Sequence, residues 1–206
     1  MRQVETIMKA WRVTTKAVAG SPAAFLGRDK ETKVFRRLRE EIERIAPSLA
    51  ISGPDDQTRF NTWGIDLVCS EHECCVAVEG KYKTMRDGAV PDNRKAAFFD
   101  LYRLEQYIAS GKYMAGVFLW LTDHPAYRQV GNGDSADFST HDGRQYRGGT
   151  PLRALRARNA MPMPLILRSD FVFRWEPVDI VGGWFSLGLT VTNTQPNKAL
   201  EPSALI

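Results

Sequence analysis

Apolar residues recur at helical spacing in three segments of the chain. Residues 2–18 predict a first amphipathic helix, and residues 93–109 predict another, with Asp92 able to cap its start. The clearest helix covers residues 30–46, where Pro47 ends the pattern. Each of these helices has an apolar side that must be buried against another element.

Strand patterns lie between and after these helices. Residues 64–70 and 74–83 predict a hairpin, and its apolar residues on both faces indicate a sheet covered on both sides. A strongly apolar strand is predicted over 113–121. Further predictions are a turn at 54–56, a loop at 131–150, a short helix at 152–158 and strands at 164–168, 171–176 and 184–192. This order predicts an α/β fold with a central mixed β-sheet flanked by helices and with β-rich C-terminal additions.

Composition narrows the class of protein without indicating a function. The 206 residues are 43% hydrophobic and 25% charged, which is ordinary for a soluble globular chain and excludes a disordered or collagen-like one. No apolar run reaches the roughly 20 residues of a membrane span, and the N-terminal residues lack the apolar stretch of a secretory signal. The three cysteines make a poor disulfide framework, so we expect a cytoplasmic protein. The net charge of +4 permits a nucleic-acid partner without requiring one.

The length fits one domain with a sizeable core. We expect an N-terminal helix and connector over residues 1–28, a main domain over 29–195 and a tail over 196–206. The core of the main domain is expected at about residues 30–121.

Two acidic residues lie inside apolar strand segments. Asp66 is part of Gly-Ile-Asp-Leu-Val, and Glu79 follows Val-Ala-Val in the next predicted strand, with Lys81 on the same face as Glu79. Burying a carboxylate there is costly unless it is paired or binds a cation. Metal-assisted phosphodiester hydrolysis needs this set, because carboxylates hold Mg²⁺ while a lysine stabilises charge or orients and deprotonates water. The alternative is an Asp66–Lys81 salt bridge with Glu79 at a solvated strand end.

The spacing of these residues resembles a known nuclease motif. Asp66, twelve further residues and then Glu79-Gly80-Lys81 are similar to the D…(D/E)xK arrangement of the PD-(D/E)XK nuclease superfamily, whose fold is called restriction-endonuclease-like. The predicted order helix, hairpin, helix, strand also resembles that core. Ile65 stands where the motif name has proline. The Gln-x-x-x-Tyr signature of some subfamilies is absent from the 93–109 helix, which argues against the exonuclease-type subfamilies.

The resemblance implies a Mg²⁺-dependent DNA endonuclease in which Mn²⁺ is able to substitute for Mg²⁺. Asp66, Glu79 and the Gly80 carbonyl would hold the metal, and Lys81 would serve the attacking water. A further glutamate often assists from the first core helix. Helical spacing favours Glu31 for that role, with Glu41 as the second choice. A glutamate stabilised by the helix dipole is the alternative explanation for Glu31.

Basic residues suggest where DNA would lie. Six arginines and no acid occur between Gly143 and Arg168, and arginine grips phosphate in a bidentate manner. The predicted DNA contacts are Lys95, Arg103, Arg144, Arg147, Arg153 and Arg156. Solvated arginines, and Arg103 pairing within its own helix, are the alternatives. Many members of the superfamily act as dimers on duplex DNA, so the resemblance also suggests a homodimer; no membrane partner is expected.

Two rival interpretations differ in class. One is a catalytically silent protein of the same fold that binds DNA or scaffolds a complex. The other is a zinc module built from Cys69, His72, Cys74 and Cys75. That set lacks a Cys-x-x-Cys spacing, and adjacent Cys74 and Cys75 point to opposite strand faces, which makes tetrahedral closure awkward.

Overall fold

The computed structural model describes residues 2–53, 65–156, 161–179 and 183–193. The helices are α1 (Arg2–Gly20), α2 (Lys30–Ile45) and α3 (Val90–Ala109). The strands are β1 (Ala50–Ser52), β2 (Leu67–Glu71), β3 (Cys74–Lys83), β4 (Ala115–Thr122), β5 (Arg144–Tyr146), β6 (Pro151–Leu152), β7 (Leu165–Ile166), β8 (Phe171–Phe173), β9 (Glu176–Pro177) and β10 (Phe185–Thr192). Short 3₁₀ turns cover Pro22–Phe25, Pro125–Arg128 and Gly133–Ser135.

Six strands form one mixed sheet in the order β1-β2-β3-β4-β10-β9. The strands β1, β2 and β3 form an antiparallel meander, whereas β3 and β4 are parallel and are connected by α3. The strands β10 and β9 extend the sheet by antiparallel pairing beyond β4. Two short ladders, β5 with β8 and β6 with β7, make up the remaining β-structure. The predicted α/β class, a mixed sheet flanked by helices, is confirmed.

Helices cover both faces of the sheet. On one face α1 and α2 bury a core in which Val78 of β3 packs with residues such as Leu38. On the other face α3 and the C-terminal additions bury a core in which Ala77 packs with residues such as Leu101. Because neighbouring strand residues alternate between faces, Glu79 lies on the α3 side.

Gly80 allows α2 to approach the sheet closely. A β-carbon at this position would lie 2.5 Å from Cζ of Phe35 and 2.6 Å from the backbone oxygen of Leu119. Only a residue without a side chain fits between these neighbours. The glycine of the Glu79-Gly80-Lys81 motif therefore has a packing role on the face opposite to the acids.

The start of α3 differs from the prediction. The helix begins at Val90 after Ala89, which has a left-handed φ of 56°, and the side chain of Asp92 does not cap it. Asp92 lies in the first turn instead, with Oδ1 2.9 Å from Nζ of Lys95. Pro91 fits in this first turn because the missing N–H has no helical partner there.

The segment after β5 also differs from the prediction. The short helix predicted over 152–158 is wrong for its described part, where β6 is followed by irregular backbone up to residue 156. The backbone N–H groups of Arg153 and Arg156 donate to side chains of the preceding loop rather than to helical carbonyls. Tertiary hydrogen bonds thus replace the local ones.

The remaining strand predictions hold with shifted ends. The strand predicted over 171–176 is divided into β8 and β9, and the 131–150 loop contains the short β5. The three-residue β1 was not predicted. The turn predicted at 54–56 and the tail at 196–206 lie outside the described residues.

Within the described part of the chain, none of the helices combines the length and the apolar character needed to cross a bilayer.

Candidate active site

The β2–β3 hairpin brings the predicted acids together. Leu67 pairs with Val78 across the two strands, so Asp66 lies beside Glu79 at the start of β2. The Oδ2 atom of Asp66 accepts a hydrogen bond of 2.8 Å from the backbone N–H of Gly80. The carboxylates of Asp66, directly before β2, and of Glu79 in β3 therefore lie side by side on the face of the sheet that α3 covers.

Helix α3 adds two charged residues to this place. Asp100 forms an ion pair with Lys81, and Arg103 forms one with Glu79. Nη2 of Arg103 also lies 3.9 Å from Oδ1 of Asp100. The five residues Asp66, Glu79, Lys81, Asp100 and Arg103 are called the buried ion cluster below.

Asp100 was not predicted as a site residue. It is 5% exposed and sits in the middle of α3, where Ala96 and Leu104, four residues before and after it, are both buried. An aspartate within an apolar helix stripe is as anomalous as one within an apolar strand. The aspartate among apolar positions of the predicted helix was therefore the sequence feature that could have identified Asp100.

The cluster holds three acids and two bases, and burial raises the pKa values of two of the acids. Burial raises the pKa of Asp66 to about 6, although Lys81 and the Gly80 N–H act in the opposite direction. Asp66 keeps some exposed surface, but the protein atoms around its carboxyl displace most of the water that would stabilise the charge. Burial, with Asp100 and Asp66 nearby, raises the pKa of Glu79 well above its ordinary value despite Arg103 and Lys81.

Lys81 is protonated at neutral pH in this environment. Burial lowers the pKa of its ammonium group, but Asp100, Asp66 and Glu31 more than offset that effect and leave the pKa raised. A lysine with a raised pKa is a poor general base and an effective local positive charge. The raised pKa of Lys81 therefore fits charge stabilisation better than proton abstraction.

The two candidate helix glutamates have different surroundings. Oε1 of Glu31 accepts hydrogen bonds from the backbone N–H of Tyr82 at 3.2 Å and from Nζ of Lys83 at 2.8 Å. Its charge acts on Asp66, whose pKa it helps to raise. Glu41 is buried in ion pairs with Arg37 and Arg44 of its own helix. Of the two, Glu31 is the one whose field reaches the buried ion cluster.

The donor set suits a hard divalent cation. Mg²⁺ is usually held by one or two carboxylates and keeps several waters, and burial has removed from Asp66 and Glu79 much of the water that would stabilise their charge, which raises both pKa values. Among the residues that the structure describes, no three His, Cys, Asp or Glu side chains form a group that could hold a metal ion. A cation at this place would therefore rely on Asp66, Glu79, the Gly80 carbonyl and water.

The zinc interpretation has no geometric support. Cys69 packs in the core under α1 and α2, whereas Cys75 packs against the core on the α3 side, so the two thiols lie on opposite faces of the sheet. Burial raises the pKa of the Cys69 thiol to about 12, which disfavours the thiolate that binds zinc. His72 is exposed in the β2–β3 turn.

Two of the predicted DNA contacts have other partners. The side chain of Lys95 is only 3% exposed, and its Nζ lies 2.8 Å from Oδ2 of Asp134 and 3.3 Å from the carbonyl oxygen of Arg156. Arg103 points to Glu79 inside the buried ion cluster. These placements do not support a phosphate contact for Lys95, and they tie Arg103 to the candidate site.

Of the four other residues predicted to contact DNA, one is partly buried and three are exposed. The guanidinium group of Arg144 donates to the carbonyl oxygen of Asp137 at 3.3 Å. The side chains of Arg147, Arg153 and Arg156 are exposed. These three side chains are therefore the best placed of the predicted contacts to bind a phosphate backbone.

Two acids of the preceding loop hold the backbone beneath the exposed arginines. Oδ1 of Asp134 accepts hydrogen bonds from the N–H groups of Leu155 and Arg156, the latter at 3.3 Å. Oδ2 of Asp137 accepts one of 2.9 Å from the N–H of Arg153. The acids thus fix the main chain and leave both guanidinium groups in solvent.

Comparison with known proteins finds no matching family model, no matching curated protein and no matching solved structure. The interpretation of the site therefore depends on its own chemistry.

Proposed function

We propose that this protein is a Mg²⁺-dependent DNA endonuclease with a restriction-endonuclease-like core, of a restriction, defence or DNA-repair type. The observation that carries the proposal is the adjacency of Asp66, directly before β2, and Glu79 of β3, with Lys81 on the same face and three acids against two bases in the cluster. The chain order of α2, the β2–β3 hairpin, α3 and β4 supports the same proposal, because helix, hairpin, helix, strand is the order that the motif resemblance implies.

Each residue of the site would have a separate role in the proposed reaction. Asp66, Glu79 and the Gly80 carbonyl would hold the cation. Bound Mg²⁺ would polarise the scissile phosphate and favour deprotonation of the attacking water. Lys81, kept protonated by Asp100, would stabilise the negative charge that develops on the phosphate. Glu31 would assist at the C-terminal end of β3, where it already accepts the Tyr82 N–H.

The substrate would be DNA, held by its backbone. The exposed guanidinium groups of Arg147, Arg153 and Arg156 supply the charge for such contacts, and backbone contacts provide most of the non-specific affinity for DNA. The nearby acids Asp134 and Asp137 support this role because they accept main-chain N–H groups, and Asp134 also pairs with Lys95 rather than with these arginines.

A cytoplasmic location and a homodimer belong to the same proposal. The apolar side of α1, including Ile7 and Trp11, is buried within its own chain. A dimer interface formed by α1 would therefore use the polar side of that helix.

A second candidate function is a catalytically silent protein of this fold that binds DNA or scaffolds a complex. The observation that favours it is that both buried cations are already neutralised within the site, Lys81 by Asp100 and Arg103 by Glu79. In that case the ion pairs would be structural.

Cleavage assays separate the two functions. Purified protein is incubated with supercoiled plasmid, single-stranded DNA and branched DNA, in Mg²⁺ and in EDTA. The endonuclease proposal expects cleavage of at least one substrate that EDTA abolishes. Binding of DNA without cleavage in Mg²⁺ or Mn²⁺ would instead support the silent protein.

A further inference from the structure

The guanidinium group of Arg103 lies against Glu79, one of the two carboxylates proposed to hold the cation. Its guanidinium group contacts Glu79, whose side chain is 3% exposed, while the arginine side chain is 20% exposed. The exposed edge of the pair is thus on the arginine side.

The two ion pairs of the cluster differ in whether their carboxylate is a proposed metal ligand. Lys81 pairs with Asp100, which is not needed as a ligand in the proposed site. Arg103 pairs with Glu79, which is needed. A divalent cation and the guanidinium group therefore compete for the same carboxylate, because both are cations that bind its oxygens.

Asp100 offers the displaced guanidinium group a second partner. Its Oδ2 faces Lys81, while its Oδ1 lies 3.9 Å from Nη2 of Arg103. A short movement would bring Arg103 onto that oxygen without exposing an unpaired buried charge, which would be costly.

We propose that Arg103 is a positioning residue that occupies Glu79 when no divalent cation is bound and passes to Asp100 when a cation takes Glu79. The inference rests on the proposed function, since it needs Asp66 and Glu79 to hold the cation. Arg103 then sets the affinity of the site for metal, and it keeps Glu79 ordered in the metal-free protein.

Calorimetric titration of Mg²⁺ alone into the full chain, without DNA, tests the competition. The variant Arg103→Gln keeps a hydrogen-bond donor near Glu79 but removes the charge. We expect it to bind Mg²⁺ about tenfold more tightly than wild type, equivalent to about 1.4 kcal/mol, which is near the lower end of the coupling measured for close charge pairs. Arg103→Lys retains a cation and should lie closer to wild type than to Arg103→Gln.

Arg94→Gln is the matched control. Arg94 is a buried arginine of the same helix, but it donates to the backbone oxygens of Ala126 and Gln129 rather than to a carboxylate. Its substitution should lower the melting temperature and leave the Kd for Mg²⁺ unchanged. A merely structural Arg103 would behave in the same way.

A measurement on the wild-type protein tests the inference even if Arg103→Gln folds poorly. In ¹⁵N-edited NMR spectra, the Nε resonance of Arg103 should move as Mg²⁺ is added, and that of Arg94 should not. An unmoved Arg103 resonance at saturating Mg²⁺ would overturn the inference, as would an unchanged or weaker affinity in folded Arg103→Gln.

The failures of the two proposals can be distinguished. Mg²⁺ binding that Asp66→Asn abolishes and Arg103→Gln does not strengthen leaves the proposed function intact and overturns only the role of Arg103. The absence of any Mg²⁺ binding to wild type, together with the absence of cleavage, overturns both.

Discussion

The Oδ2 atom of Asp66 accepts a hydrogen bond of 2.8 Å from the backbone N–H of Gly80. This bond links the start of β2 to the residue between Glu79 and Lys81, so it fixes the orientation of the Asp66 carboxylate before any ligand is present. A preorganised carboxylate is what a metal site requires.

The stability of the metal-free protein should depend on the protonation of Asp66. The pKa of this carboxyl in the folded protein is about 6, above its ordinary value of 3.8, so the folded state holds the proton more tightly than the unfolded chain. The stabilisation is present below about pH 4 and is lost as the pH rises through about 6. The loss at neutral pH amounts to about 3 kcal/mol.

The variant Asp66→Asn isolates this effect. Free energies of unfolding in EDTA, measured at about pH 4.5 and about pH 7.5, should fall more for wild type than for Asp66→Asn. Adding Mg²⁺ at the higher pH should restore stability to wild type only. Parallel pH profiles of the two proteins would show that the Asp66 carboxyl is not perturbed.

Asp100→Asn should destabilise the protein by up to about 3–5 kcal/mol, because it removes the ion-pair partner of the Lys81 ammonium group and leaves only the charges of Asp66 and Glu31 nearby. Removing both charges in Asp100→Asn/Lys81→Met should recover most of that loss. A double-mutant cycle of urea unfolding at neutral pH measures the coupling. Additive effects of the two substitutions would contradict the ion pair.

Gly80→Ala should destabilise the protein by about 2 kcal/mol or more, because overpacking of a filled core typically costs about 1–3 kcal/mol. The added β-carbon would meet Phe35 at 2.5 Å and the backbone oxygen of Leu119 at 2.6 Å, and the second contact cannot be relieved by a side-chain rotation. Gly20→Ala is the control, because nothing lies within 4 Å of a β-carbon there. Thermal unfolding should separate the two, and equal melting temperatures would contradict the close approach of α2.

The double variant Arg153→Ala/Arg156→Ala should weaken DNA binding and lower the slope of log K against log salt by about 2, because each phosphate contact contributes about 0.9 to it. Its affinity for Mg²⁺ should not change. Fluorescence anisotropy with labelled duplex DNA at several salt concentrations measures the slope. Arg12→Ala/Arg39→Ala, on the helices that cover the other face of the sheet, should leave the slope as in wild type.

The local part of the site was predictable from the sequence. Strand alternation put Glu79 and Lys81 on one face, and the hairpin pattern put Asp66 beside them, because these relations extend over adjacent strands with a short turn. Glu31 could also be chosen over Glu41 from helical spacing. In the structure, Oε1 of Glu31 accepts a hydrogen bond from the backbone N–H of Tyr82 in β3.

The partners from α3 could not be predicted in the same way. Buried residues occur on several sides of this helix, from Ala96, Ala97 and Phe98 to Leu101, so spacing alone does not show which side meets the sheet. The pairing of Arg103 with Glu79 depends on that orientation. Lys95 is similar, since its partner Asp134 comes from a loop 39 residues further along the chain.

The prediction of a short helix over 152–158 was wrong for the described residues for a related reason. Its apolar and basic residues suit a helix, but Asp134 and Asp137 accept its backbone N–H groups in the folded chain. Such contacts between distant segments override weak local preferences.

The rate of plasmid nicking by wild type and by Asp66→Asn, purified in parallel and assayed in Mg²⁺, tests the central claim most directly. Because a contaminating nuclease would be present in both preparations, only the difference between them counts. The account predicts Mg²⁺-dependent nicking by wild type and a loss of at least about 100-fold in Asp66→Asn, because losing this ligand weakens the hold on the cation that stabilises charge on the phosphate. Equal rates in the two preparations, or no nicking by wild type, would contradict it.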